Sequence, residues 1–232
     1  MVRKTENPSV GVPVSGSQVV HITAPNMRVA EFEIEGTAPL VIHRFSVKSK
    51  QEMLVRMQAG SAGAKRKIRE KLDEQAVYTA ARYVSKEGWD GFNAAAVRGA
   101  MVKACSITTP PFKMTLAKMC IFAIADGRDA QEPEFSLIKI NGAHRMLQSV
   151  ARVETGQPYI TIRPCYDEWS AKLHIRFDAD QFSFQDIANL LARVGEQVGF
   201  CEGRPASTDS CGMGWGTFRV KGVDAAVERA VA

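Results

Sequence analysis

The sequence predicts an α+β protein built around a β-sheet. Residues 159–163 and 171–177 alternate apolar and polar side chains with the two-residue period of a strand. In the second segment Leu173, Ile175 and Phe177 face one way while Lys172, His174 and Arg176 face the other. The third observation is the close of the chain, where this strand is followed by a helical segment and a last strand. Strands mixed with a few helices, ending strand–helix–strand, indicate an α+β sheet.

Residues 1–27 read as a flexible arm, punctuated by Pro8, Gly11, Pro13, Gly16 and Pro25, with a hint of a strand at 19–22. Residues 28–35 alternate, with Val29, Phe32 and Ile34 apolar among charges, a half-buried strand with one irregular step. Segments 46–58 and 65–74 read as helices joined by a small-residue link at 59–64. Residues 77–84 are expected to form a strand and 87–91 a turn. Asn93 is placed to cap a helix over 94–105, whose small residues suit close packing on a sheet. Residues 116–125 are apolar and ambiguous, 135–140 read as a strand, and 145–155 as a basic, irregular stretch. Near the end, Phe184, Ile187, Leu190, Leu191, Val194 and Val198 follow the helical period, with Ser183 to cap the start and Gly199 to stop it. Gly203, Gly212, Gly214 and Gly216 then form a glycine-rich loop before residues 218–220. With Arg204 among them, such a loop brings main-chain amides to phosphates, or simply makes a flexible hairpin connection.

At 232 residues and 45% hydrophobic content the chain is globular and long enough for a large core. It has no apolar run of about eighteen residues for a membrane span and no secretory core at its start, so a cytoplasmic setting is expected. Five scattered cysteines (Cys105, Cys120, Cys165, Cys201, Cys211) form no Cys-x-x-Cys pair and read as reduced thiols. The net charge is +5, yet the segment from residue 44 to 71 alone carries +7, nine basic residues against Glu52 and Glu70. Such clustering marks a polyanion partner, most simply nucleic acid; the plain alternative is a solvated helical face. No phosphate-binding P-loop, Gly-x-Ser-x-Gly elbow or His-Glu-x-x-His occurs. The histidines His21, His43, His144 and His174 lie far apart, and no acidic pair suits two-metal chemistry. A binding protein without cofactor or metal is therefore expected over an enzyme.

Three stretches carry a resemblance. Residues 32–43, Phe-Glu-Ile-Glu-Gly-Thr-Ala-Pro-Leu-Val-Ile-His, resemble the opening strand and Pro-Leu turn of the RAMP superfamily, the repeat-associated proteins of CRISPR systems. Residues 91–104, with Val97-Arg-Gly-Ala at their centre, resemble that superfamily's small-residue turn and helix start. The tail, from the Leu190-Leu191 helix through Gly212-x-Gly-x-Gly-x-Phe218, resembles its glycine-rich loop and final strand. Glu202-Gly-Arg-Pro and the six residues 206–211 depart from a cleaner glycine-basic run. The style is also similar to RAMP-like proteins carried by bacteriophages.

The resemblance implies a modified ferredoxin-like (RRM-like) antiparallel sheet with helices on one face, as one domain over residues 28–223 followed by a tail, 224–232. It implies binding of single-stranded RNA, or by extension DNA, by copies stacked head to tail in a filament, alone or with other subunits of a ribonucleoprotein. A thumb hairpin reaching over the strand would come from the inserted basic segment 46–74 or from 133–158. Candidate phosphate contacts are Arg44, Lys48, Lys65, Arg66, Lys67, Arg98, Lys103 and Arg204. Arg98 and Lys103 match the superfamily's basic helix positions and Arg204 its loop. Arg145, Arg152 and Arg163 form a second group. Phosphate contacts supply affinity without sequence information, and Phe45 and Trp215 are the candidates for stacking on bases. Two other classes remain: a metal-independent endoribonuclease using His43, as in some superfamily members, and a structural or virion assembly protein.

Overall fold

The computed structural model describes residues 23–59, 73–152, 158–208, 212–221 and 228–230. In chain order these form β1 (Met27–Gly36), β2 (Leu40–Val41), α1 (Val47–Ala59), α2 (Glu74–Ala80), β3 (Tyr83–Val84), β4 (Asp90–Asn93), α3 (Ala94–Ala104), α4 (Met114–Cys120) and β5 (Ile121–Ile124). There follow β6 (Gly127–Arg128), β7 (Ser136–Lys139), β8 (Arg145–Arg152), β9 (Pro158–Tyr166), β10 (Ser170–Asp178), α5 (Phe184–Arg193), β11 (Phe218–Lys221) and β12 (Glu228–Ala230). The architecture is mixed α and β with antiparallel sheets.

The central sheet has the order β11-β1-β10-β5, with β12 also paired to β1. Its register sets Phe32 opposite Leu173 and Ala30 opposite Ile175. Ala30, Phe32, Ile34, Ala171, Leu173, Ile175 and Phe177 are buried, because every second side chain of a strand points to the same face. Ala30, not Val29, is the inward residue, so the irregular step expected in this strand does not exist. On the other face Glu31 pairs with Lys172 at 2.8 Å and His174 at 3.1 Å. A second sheet has the order β2-β9-β8 and a third β3-β4-β7-β6.

Helices α3 and α5 close the buried face. Asn93 caps α3 through its side-chain oxygen, which accepts from Ala95 N at 2.8 Å. Small buried residues (Ala94, Val97, Ala100, Ala104) let α3 lie close to its neighbours. The Phe184 ring of α5 stacks on Phe32 at 5.4 Å, and Phe200 bridges Phe92 and Phe218 at 5.5 and 4.7 Å. Each fully buried phenylalanine contributes about 1.5–3 kcal/mol of apolar transfer. Ser183 and Asp186 form a reciprocal capping box at the start of α5. One π-helical turn (Val194–Val198) extends it, and Gly199 ends it at φ 69°.

Several expectations change. Residues 77–80 are helical rather than extended. Asp73 accepts from Ala76 N, and Tyr78 is buried with its hydroxyl on His144, so a cap and a tertiary anchor outweigh the strand-like composition. Residues 116–125 split into the end of α4 followed by β5. Residues 145–152 are not irregular but pair in full register with β9, from Arg145 opposite Cys165 to Arg152 opposite Pro158. The segment 133–158 therefore divides: β7 pairs with β4 and β6, while β8 begins a hairpin that runs on to Tyr166. Within the tail, Glu228–Ala230 pair with β1. The helix expected at 65–74 and the strand hinted at 19–22 lie largely or wholly outside the described residues. No helix among the described residues is long and apolar enough to cross a membrane.

Candidate nucleic-acid interface

Residues from three distant parts of the chain meet around one cavity of about 440 Å³. Ile42 and His43 follow β2, Asn93 and Ala96 stand where β4 turns into α3, and Glu202, Gly203 and Arg204 come from the glycine-rich loop. The main chain fixes this meeting. Glu202 N donates to Val41 O at 3.1 Å, Gly216 N to Pro39 O at 2.8 Å, and Phe200 N to Gly216 O at 2.9 Å. Gly203 has φ +71°, and a Cβ there would stand 2.4 Å from the Trp215 ring. Only glycine lets the indole and the loop backbone approach so closely.

Of the two formal charges that line the cavity, the Glu202 carboxylate is met by Arg163 Nε at 2.7 Å, which leaves Arg204 and backbone N–H groups to favour anions. The start of α3, an eleven-residue helix, presents its N-terminal turn beside it, where backbone N–H groups and the helix dipole attract negative charge. Arg204 donates from Nη1 to Cys201 O at 2.9 Å, which pins the side chain to the loop. Its remaining guanidinium N–H groups have no partner among the described residues. Gly212 and Gly214 also hold positive φ, 59° and 76°, and continue the loop.

At the rim, Glu202 accepts from Arg163 Nε at 2.7 Å and lies 3.6 Å from His43 Nδ1. Partial burial (46% of the side chain remains exposed), and then the Arg163 charge, hold the His43 pKa below its usual value, while Glu202 opposes the shift. Burial pushes the Cys201 thiol up to about 12, so it is a protonated wall and not a nucleophile at neutral pH.

The predicted residues separate clearly. His43, Arg163, Gly203 and Arg204 come together here. Arg44 does not: its guanidinium is 2% exposed, bonded to Asp129 and Glu132 at 3.0 Å and to Gln131 at 2.8 Å, and so faces inward. Arg98 donates to Ile121 O and Lys118 O and lies over the Phe122 ring, which ties α4 to α3. Lys103 is exposed in the last turn of α3, about 15 Å along the helix from Asn93. Arg145 forms a two-pronged exposed pair with Asp167, and Arg152 ends β8. Phe45 is 44% exposed and Lys48 is exposed on α1. Trp215 is partly exposed, with its ring against Gly203. Lys65, Arg66 and Lys67 lie outside the described residues.

Sequence reasoning missed Glu202 as a partner of His43 and Arg163, and saw Asn93 only as a cap. The one available signal was the acidic residue interrupting the glycine-basic run. His144 and His174 are engaged elsewhere: His144 bridges Tyr78 and Asp90, and His174 lies 3.1 Å from Glu31. Among the described residues no group of three or more His, Cys, Asp or Glu side chains is placed to hold a metal ion. No protein-family model matches the chain, and no curated protein matches it.

Proposed function

We propose that the protein binds single-stranded nucleic acid, RNA or DNA, without cleaving it, along a surface that includes this cavity. The observation that carries the reading is the convergence of Arg204, the glycine-loop backbone and the N-terminal turn of α3 on one cavity. Phosphates are held there by N–H donors and one guanidinium, which gives affinity that falls with salt and is indifferent to base identity. The order β11-β1-β10-β5, all antiparallel, with α3–α4 and α5 as the two helical connections, supports the modified ferredoxin-like reading.

Head-to-tail stacking of copies along the strand is the arrangement we favour. The β8–β9 hairpin is the better candidate for the thumb, because it exposes Val150, Tyr159 and Ile160, at 72%, 47% and 63%, near the end where the two strands connect. Gel-shift titration of labelled oligonucleotides over a salt series tests the reading. Arg204→Glu is expected to weaken binding uniformly across sequences and to lower the salt slope by about 1. Wild-type protein that ignores RNA and DNA at low salt sinks it.

One geometric fact favours a second reading, a metal-independent endoribonuclease. His43 has a carboxylate 3.6 Å away and favours the neutral imidazole, the form able to accept a proton from a 2′-hydroxyl. Cleavage of labelled RNA in chelator, abolished in His43→Ala, decides for it over binding alone.

A further inference from the structure

We infer a second contact for the strand, a base-stacking pocket on Trp89, and this inference rests on the nucleic-acid reading above. Trp89 ends the turn between β3 and β4, where Ser85 N donates to Trp89 O at 2.9 Å. Its ring lies against two glycines of one sheet, Gly91 in β4 and Gly127 in β6, two strands apart. A Cβ at Gly127 would stand 2.6 Å from the indole and one at Gly91 would stand 3.1 Å from it. The indole N–H donates to Glu87 Oε2 at 2.9 Å, which fixes the ring's rotation. A partly exposed tryptophan is thus held on a bare backbone floor by three local constraints.

Beside the ring lies a cavity of about 300 Å³, lined also by Glu87, Asp126, Lys139, Asn141 and Lys172. That volume is at the small end for ligand pockets. Its formal charge balances, two lysines against two carboxylates, so it does not select a bare phosphate. The carboxylates are already occupied: Glu87 by the indole N–H, and Asp126 by Lys139 N at 2.8 Å with His174 3.7 Å away. Lys172 pairs with Glu31. The Lys139 ammonium has no partner among the described residues and is exposed. An aromatic wall with a free donor and an amide at its edge fits an uncharged planar ring whose rim carries acceptors. A nucleobase of an unpaired strand is that ligand, stacking on the indole while its carbonyl accepts from Lys139 or Asn141. The pocket does not belong to the first cavity, yet β4 joins them, running from Trp89 to Asn93, about 13 Å of extended chain.

The test compares an oligodeoxythymidylate with an abasic strand of equal length, using full-length protein. Wild type is expected to prefer the base-bearing strand by roughly 5- to 100-fold. Trp89→Leu should abolish the preference and leave affinity for the abasic strand intact, which also shows that the variant folds. Trp89→Phe keeps a ring over Gly127 and Gly91 and should retain part of the preference. Lys139→Ala, which disturbs no packing, should reduce it. Quenching of indole emission by the base-bearing strand should be present in wild type and lost in Trp89→Phe. A preference unchanged in Trp89→Leu, or none in wild type that still binds both strands, overturns the stacking pocket and leaves the first reading standing. Wild type that binds neither strand overturns both.

Discussion

Replacing Arg44 by methionine separates a structural cation from a nucleic-acid contact. The guanidinium holds two carboxylates that water scarcely reaches, Asp129 at 1% and Glu132 at 10% side-chain exposure, and bonds to Gln131 besides. Methionine keeps much of the volume and removes all three bonds. Glu132 keeps Lys50 and Asp129 keeps the backbone amides of Gln131 and Glu132, so the carboxylates are under-compensated but not abandoned. Removing one partner of a buried ion pair costs about 3–5 kcal/mol. For a chain of this size each kcal/mol lowers Tm by about 2–4 °C, so a fall of about 6–20 °C is expected in calorimetry. Adding Asp129→Asn and Glu132→Gln should recover most of the loss, because the under-compensated charges go and the residue-129 oxygen that accepts from the backbone remains. Affinity for an oligonucleotide, measured well below the transition, should not change. A Tm within about 3 °C of wild type, or lost affinity at unchanged stability, refutes the argument and returns Arg44 to the surface role its sequence context suggested.

Three further outcomes are expected. Gly203→Ala sets a Cβ 2.4 Å from the Trp215 ring at φ +71°, so it should lower Tm and weaken oligonucleotide binding together, as the loop moves. Ser183→Ala removes the capping box of α5 and should cost about 1 kcal/mol by urea denaturation, with binding intact. The depressed His43 pKa means the unfolded chain binds more protons in the window just below 6.5. Stability therefore falls as pH drops through that window, and His43→Gln should flatten this part of the profile in denaturation series on either side of pH 6.5.

Periodic segments were legible because burial on one face writes itself into residue order. β10 alternates as expected, α5 shows its cap and its apolar stripe, and Asn93 caps α3. The segments misread lack that imprint. Residues 77–80 owe their helix to Asp73 and to the partner Tyr78 finds in His144, sixty-six positions away. β8 carries no clean alternation because its pairing with β9, and not burial of one face, defines it.

By itself the sequence determined which faces are apolar, where helices start, and that glycines and basic residues gather in a late loop and an early insertion. Only the tertiary structure decided which of those charges meet solvent. Arg44 and Arg204 look alike in a string of letters, yet one is enclosed by Asp129 and Glu132 and the other borders an open cavity. The difference rests on long-range contacts, Arg44 to Asp129 and Glu132 for the one and Val41 to Glu202 and Pro39 to Gly216 for the other. A charge's role follows from its dielectric surroundings and its partners, and local sequence specifies neither.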